Sequence, residues 1–272
     1  MQPFEEYASL WDGRVQLAVE LAKQAGNLTR DHYFQTDAYQ TERKRDNSPV
    51  TTADKEAEQL IRRILGDRFP QDGILGEEFG TSQGESNYEW IIDPIDGTKS
   101  FITGVPLYST LVGLTHHGKS MAGVIYIPCL EELVFAAIGY GAWYQKGEAP
   151  WKKAHVSKVA DLRDGVFLVS QVDNFAKRGA FESYLDLESK AYITRSWGDG
   201  YGYLLVATGR AEVMVDPIVS PWDVAAIQPI MEEAGGRCSS WKGEFTIHGG
   251  DCVGSNGLVH ASVLESLNRL CS

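Results

Sequence analysis

The sequence predicts an α+β / α/β protein built from two packed halves, on three observations. Apolar positions recur at helical spacing through the first 65 residues. Residues 107–144 then hold long apolar runs separated by Gly, Pro and charged residues. Beyond residue 150, strand-like and helix-like segments alternate. Residues 1–150 therefore form an N-terminal α+β half with an antiparallel sheet, and residues 151–272 a C-terminal α/β half. No repeat, low-complexity tract or long linker separates them, so one body is expected.

Residues 4–33 place Leu10, Val15, Val19 and Leu21 at roughly helical spacing and predict one long amphipathic helix. Ser48-Pro49 then breaks the chain, and Thr51 or Thr52 caps a second helix. Its buried stripe is Ala57, Leu60, Ile61, Ile64 and Leu65, and it ends near Phe69-Pro70. Short strands follow at "GILGEE" and "EWIID". The runs "LYSTLVGLTHH", "SMAGVIYIP" and "ELVFAAIGYGAWY" complete a largely antiparallel sheet. In the second half the order is strand "GVFLVS", helix "NFAKRGAFESYLDLESK", strand "AYIT", helix "GDGYGYLLVATG", strand "AEVMVD" and helix "PWDVAAIQPIMEEAG", before a final "CVGSNGLVHASVLESLNRL".

Composition limits the function. The chain has 272 residues, 43% of them hydrophobic, which is enough for a substantial core. A net charge of -12 argues against nucleic acid as a partner, because binding its backbone needs basic surface. An anionic substrate would be repelled too, unless the protein first collects cations. No run of about eighteen uncharged apolar residues suggests a membrane span, and the acidic start "MQPFEEYASLWDGR" does not resemble a secretion signal. Cys129, Cys238, Cys252 and Cys271 lack metal-ligand spacing and read as reduced thiols in a cytoplasmic protein.

One motif fails a physical test. "GLTHHGKS" fits the pattern of a nucleotide-binding P-loop, which requires a strand followed by a helix whose first amides face the phosphates. Here "MAGVIYIP" follows, rich in β-branched residues. A hairpin is the simpler expectation.

The informative stretch is "WIIDPIDGTKSF". Asp93 closes an apolar strand, and Pro94 fixes φ and removes an amide hydrogen, so the chain should leave the sheet there. Asp93, the Ile95 carbonyl and Asp96 can then present oxygen atoms to one region. Gly97 permits close backbone approach, and Thr98 opens a short helix whose first amides point back. That arrangement suits a phosphate bridged to metal. Asp-Pro and Asp-Gly are also common turn pairs, so the octapeptide alone leaves both readings open. Glu77 and Glu78 follow a strand, where they are either ligands or a solvated loop. Asp223 and Asp54 each fall in the first turn of a helix, where a carboxylate also suits the helix dipole.

In order, "KRDNSPVTTAD", "GILGEE", "WIIDPIDGTKSF", "LVATGRAE" and "PWDVAAIQPIMEEAGG" resemble the inositol monophosphatase superfamily of magnesium-dependent phosphatases over residues 44–236. The resemblance implies a layered αβαβα fold, a homodimer, and two or three Mg²⁺ per active site held by Glu77, Asp93, the Ile95 carbonyl, Asp96 and Asp223. It also implies that Thr98, helped by Glu77 and oriented by Asp54, activates the attacking water. Ile95, Asp96, Gly97, Thr98 and Asp223 would border the substrate, and Lys44 would help to hold phosphate. Magnesium is a hard ion that prefers carboxylate and carbonyl oxygen, so no histidine or cysteine is needed.

Within the superfamily the details most resemble the histidinol-phosphate phosphatases. Lys99-Ser100 stands where inositol phosphatases more often carry Thr-Asn, and "RSWGDGYGYLLVATGRAE" and "HGGDCVGSNGLVH" are similar to that group. Histidinol phosphate carries an ammonium and an imidazole, so its pocket should offer acids and flat apolar surface. Asp199 and Asp216 could supply the acids. Trp197, Tyr201 and Tyr203 either pack on the imidazole or belong to the core, and Arg195 is either a substrate contact or a surface cation. His248 is assigned no role. The alternatives are an inositol, sugar or nucleotide 3′-phosphatase on the same scaffold and, from another class, a nucleic-acid-associated regulatory protein, which the acidic charge disfavours.

Overall fold

The computed structural model describes residues 9–35, 40–43 and 49–269. Lys44, the beginning of the expected first helix, Ser48 and Cys271 lie outside the described residues. Helix α1 (Arg14–Phe34) begins later than expected. Trp11, Asp12 and Gly13 all have positive φ (49°, 59° and 85°), a conformation that cannot continue into a right-handed helix. Arg14 then anchors the helix through a two-point ion pair with Asp72, at 2.8 and 2.9 Å.

Strands β1 (Thr41–Arg43) and β2 (Pro49–Thr51) form a short antiparallel pair before α2 (Thr52–Arg68). Thr51 is the N-cap of α2. Its hydroxyl accepts from the Asp54 amide while the Asp54 carboxylate accepts from the Thr51 amide at 2.7 Å, a reciprocal capping box.

The large sheet contains β3 (Gly73–Gly76), β4 (Gly80–Ser82), β5 (Tyr88–Asp96), β6 (Ser109–His116), β7 (Lys119–Ile127), β8 (Glu132–Ala137), β9 (Gly141–Lys146) and β10 (Lys152–Lys153). Their order is β10-β9-β8-β7-β6-β5-β3-β4. Only β3 and β5 pair in parallel, so the sheet is largely antiparallel as expected. "GLTHHGKS" is a hairpin, with His117 and Gly118 at positive φ between β6 and β7. "ELVFAAIGYGAWY" is not one strand but two, because Gly139 and Gly141 adopt positive φ and turn β8 back as β9.

The second sheet contains β11 (Val166–Val169), β12 (Ile193–Arg195), β13 (Val213–Asp216), β14 (Arg237–Ser239) and β15 (Cys252–Ser255), in the order β12-β11-β13-β15-β14. It is mixed: β11 is parallel to β12 and β13, whereas β15 is antiparallel to its neighbours. The expected helix at "NFAKRGAFESYLDLESK" splits at Gly179 (φ 76°) into α4 (Val172–Lys177) and α5 (Phe181–Lys190). The expected helix at "PWDVAAIQPIMEEAG" splits into α7 (Pro221–Val224) and α8 (Ile227–Glu233). Pro229 explains that break, since it cannot donate to the carbonyl four residues earlier. Short α3 (Thr98–Ile102), α6 (Gly200–Ala207) and α9 (His260–Arg269) complete the chain.

Strand alternation sorts these elements into layers. Trp90, Ile92, Val112 and Val124 face α1 and α2, whereas Ile91, Leu111 and Ile125 pack with residues of α6, α7 and α8. Met214 of the second sheet joins that middle core. Val213 and Val215 point the other way, into a core with Phe175, Tyr184 and Val263 of α4, α5 and α9. The result is an αβαβα sandwich, the expected fold.

Candidate metal centre and substrate cavity

Asp93 and Asp96 owe their shared direction to an irregularity in β5. Residues three apart on a regular strand point to opposite faces. Here Asp93 pairs with Leu111 and Asp96 with Ser109, so β5 spends one more residue than β6 over that interval. This β-bulge carries Pro94, which a regular interior strand would not accept, and turns both carboxylates toward the middle helical layer. The expectation that the strand ends at Asp93 is corrected accordingly. Gly97, at φ 89°, then starts α3, and Thr98 Oγ1 donates to the Ile95 carbonyl at 3.2 Å.

The middle layer brings Asp223 to the same place. Gly113 and Gly123 face each other across β6 and β7 on the inner side of the sheet. A Cβ on Gly123 would lie 1.9 Å from the Ala226 carbonyl oxygen, and one on Gly113 would lie 2.9 Å from the Ala225 Cβ. Two bare backbones thus let the α7–α8 junction rest directly on the sheet. Ser220 caps α7, its amide donating to Asp223 Oδ2 at 2.7 Å, which fixes the carboxylate at the helix start.

Asp93, Asp96 and Asp223 each offer an oxygen, and these atoms all lie within 4.8 Å of one another. Burial and the neighbouring charges of Glu77, Asp96 and Asp223 raise the Asp93 pKa well above the usual carboxylate range. Burial and the charges of Asp199 and Asp223 do the same to Asp96, against hydrogen bonds from Ser109 Oγ at 2.6 Å and the Gly200 amide at 2.5 Å. Burial pushes Asp223 up to about 8, with Glu77, Asp216 and Asp199 adding repulsion. A hard divalent cation fits this donor set: crowded, buried carboxylate oxygens relieve their repulsion by sharing positive charge.

Glu77 is steered from α2. Glu58 is fully buried, and its carboxylate accepts from the Glu78 amide at 2.8 Å and the Phe79 amide at 3.2 Å. Sequence reasoning missed Glu58, although its place among the apolar stripe residues Ala57 and Ile61 marks a charge with a buried task. Asp54 Oδ2 is taken up by Thr51, while its Oδ1 is buried without a hydrogen-bond partner. Burial, with a smaller contribution from Glu77, pushes the Asp54 pKa up to about 6.

A cavity of about 240 Å³ opens over this cluster, lined on one side by Glu77, Asp96, Gly97 and Thr98 and closed by Asp199, Asp216 and Asp223. Asp216 accepts from Ser170 Oγ and, at 2.9 Å, from the Tyr203 hydroxyl. Burial pushes its pKa up to about 7. Tyr203 packs in the middle core, buttresses Asp216 through this bond and also lines the cavity. Asp199 is half-buried, with its pKa raised by burial and partly offset by Lys99. Arg195 is not brought to the cavity. It is exposed, donates to the Thr194 carbonyl at 2.7 Å and lies over the Trp197 ring. Lys99, Ser170, Gln171 and Asn174 also line the cavity and were not singled out as site residues from sequence. Three of them sit where β11 meets α4, a corner with no motif of its own.

A family model described as the inositol monophosphatase family matches residues 11–271. The chain is 44% identical over 258 residues to a histidinol-phosphatase of Chlorobaculum parvum, covering 95% of each protein. It is 39% identical to a histidinol-phosphatase of Mycobacterium tuberculosis, covering 93% of this chain and 97% of the relative. The solved structure of a Thermotoga maritima IMPase superposes with a TM-score of 0.83 at 28% identity, covering 95% of this chain and 98% of the other.

Proposed function

The chain belongs to the inositol monophosphatase family, and from that premise we propose that it is a histidinol-phosphatase, converting L-histidinol phosphate and water to L-histidinol and phosphate. The observation that carries the reading is the convergence of Asp93 with two residues of the cavity lining, Asp96 and Asp223, beside a wall bearing two further acids, Asp199 and Asp216. The first group suits a phosphate ester brought in with metal. The second suits an alcohol that carries a positive charge.

In this reading Mg²⁺ would be held by Asp93, Asp96, Asp223, Glu77 and the Ile95 carbonyl, which can accept a second contact beside its bond from Thr98. When bound, Mg²⁺ neutralises phosphoryl charge and makes water more acidic. The remaining tasks fall to the chain. Thr98 and Glu77 hold the attacking water, and Glu77 takes its proton. The water oxygen bonds to phosphorus as the ester P–O bond breaks, and the departing alkoxide takes a proton from solvent. Asp54 keeps Thr98 in position, and Asp199 and Asp216 receive the substrate ammonium. A homodimer in the cytoplasm completes the proposal. Among the described residues no helix is long and apolar enough to cross a membrane.

Hydrolysis in ¹⁸O-labelled water tests the reaction class. Attack at phosphorus puts the label in inorganic phosphate and none in histidinol, and a chelator stops turnover. Label in the alcohol, or turnover unaffected by chelation, would reject the mechanism.

A further inference from the structure

We infer that Asn174 is the residue that recognises the leaving alcohol's ring, donating its side-chain amide to the unprotonated nitrogen of a neutral imidazole. The inference rests on the histidinol phosphate reading and extends it to a residue outside the motifs that carry the family resemblance. Asn174 lies on α4, in the second half of the chain, and lines the cavity.

The substrate's ammonium can only donate, and the cavity meets it with carboxylates. A neutral imidazole presents one acceptor nitrogen, which needs a donor. Most donors in the wall are already engaged. Ser170 and Tyr203 both donate to Asp216, and Thr98 donates to the Ile95 carbonyl. Lys99 donates to Gln171 Oε1 and keeps two further N–H donors, but as a cation it suits the anionic phosphate better than a neutral ring nitrogen, and Gln171 is in turn hydrogen-bonded to Asp173. Asn174 is different. Its Oδ1 accepts from Lys177 Nζ at 3.2 Å. An ammonium cannot accept a hydrogen bond, so this contact fixes which end of the amide is oxygen. No hydrogen bond engages Asn174 Nδ2 among the described residues, which leaves an NH₂ group that can only donate. Ser100 also has a hydroxyl in the wall, but a hydroxyl can donate or accept and so does not discriminate.

The test compares two substrates on the full-length protein with Mg²⁺: L-histidinol phosphate and the phosphate ester of 2-amino-1-propanol, which keeps ammonium and phosphate but lacks the ring. For Asn174→Ala, kcat/KM on histidinol phosphate should fall about tenfold, mainly through KM, while the ringless ester changes less than about twofold. Asn174→Asp replaces the donor by an acceptor. Its kcat/KM on histidinol phosphate should shift toward lower pH, where the ring carries a second proton, with no such shift on the ringless ester. Equal losses on both esters would place Asn174 at the phosphate or the ammonium and overturn the inference, as would unchanged kinetics on histidinol phosphate. If the unmodified protein does not hydrolyse histidinol phosphate, the underlying substrate reading fails first, and the ring contact falls with it.

Discussion

Asp93 and Asp96 are three residues apart in β5, yet their partners Leu111 and Ser109 are two apart in β6. The extra residue is what brings together two carboxylates from positions that a regular strand would send to opposite faces. Asp93→Asn keeps the shape and the Oδ1 that accepts from the Ile95 amide at 3.1 Å, but removes the charge. Turnover should drop by more than about a hundredfold, since even outer partners of metal ligands change affinity or activity about 10–100-fold. The metal-free variant should melt at a higher temperature than the unmodified protein at alkaline pH, because a buried repulsive charge is gone. Calorimetry alongside phosphate release checks both, and near-normal turnover would remove Asp93 from the metal site.

The same repulsion sets a pH dependence. Asp54, Asp216 and Asp223 are held at about 6, about 7 and about 8, above their ordinary carboxylate values. The native state therefore binds more protons than the unfolded chain between the two sets of values, and stability falls as pH rises. Without metal, the melting temperature should decline from about pH 4, where the unfolded carboxylates ionise, to about pH 8, the highest of these native values. Added Mg²⁺ should raise it most at the alkaline end, where the ligands are ionised. A flat profile, or a larger effect of Mg²⁺ at acid pH, would contradict this account.

Gly123 tests how Asp223 is placed. An added methyl group meets the Ala226 carbonyl oxygen, so the α7–α8 junction must move. Gly123→Ala should cost about 1–3 kcal/mol of stability and lower kcat through displacement of Asp223. Gly118→Ala, in the β6–β7 turn, meets no neighbouring atom and provides a control. It should lose some stability to its positive φ but retain kcat. Loss of kcat in the control but not in Gly123→Ala would reverse the assignment.

Thr98 hydrogen-bonds the Ile95 carbonyl and is proposed to hold the attacking water. Thr98→Ala should lower kcat by about a hundredfold with KM changed by less than about threefold. Steady-state kinetics decide it, and a rise in KM with unchanged kcat would make Thr98 a binding residue.

Much of the fold was legible because it rests on periodicity. Apolar runs bounded by Gly, Pro and charged residues in "LYSTLVGLTHH" and "SMAGVIYIP" predicted β6 and β7, whereas the clustered carboxylates were named through the family resemblance, because residue type and spacing alone left a plain turn open. What escaped depends on three-dimensional pairing. The bulge at Pro94 is visible only once β6 is laid beside β5, and the split at Gly179 needs the positive φ that a glycine permits without requiring. Glu58 was hidden by its helical stripe. Asn174 was hidden in a chain corner whose significance depends on where Lys177 places one oxygen. Arg195 shows the converse, a residue near the right turn whose side chain rests on Trp197 rather than in the cavity.

Phosphate release from L-histidinol phosphate and from inositol 1-phosphate, measured in one Mg²⁺-containing assay, tests the central claim most directly. With Asp199 and Asp216 lining the cavity, kcat/KM should be at least about tenfold higher for histidinol phosphate, the effect of one hydrogen bond to a charged group. An equal or higher kcat/KM on inositol 1-phosphate would contradict it.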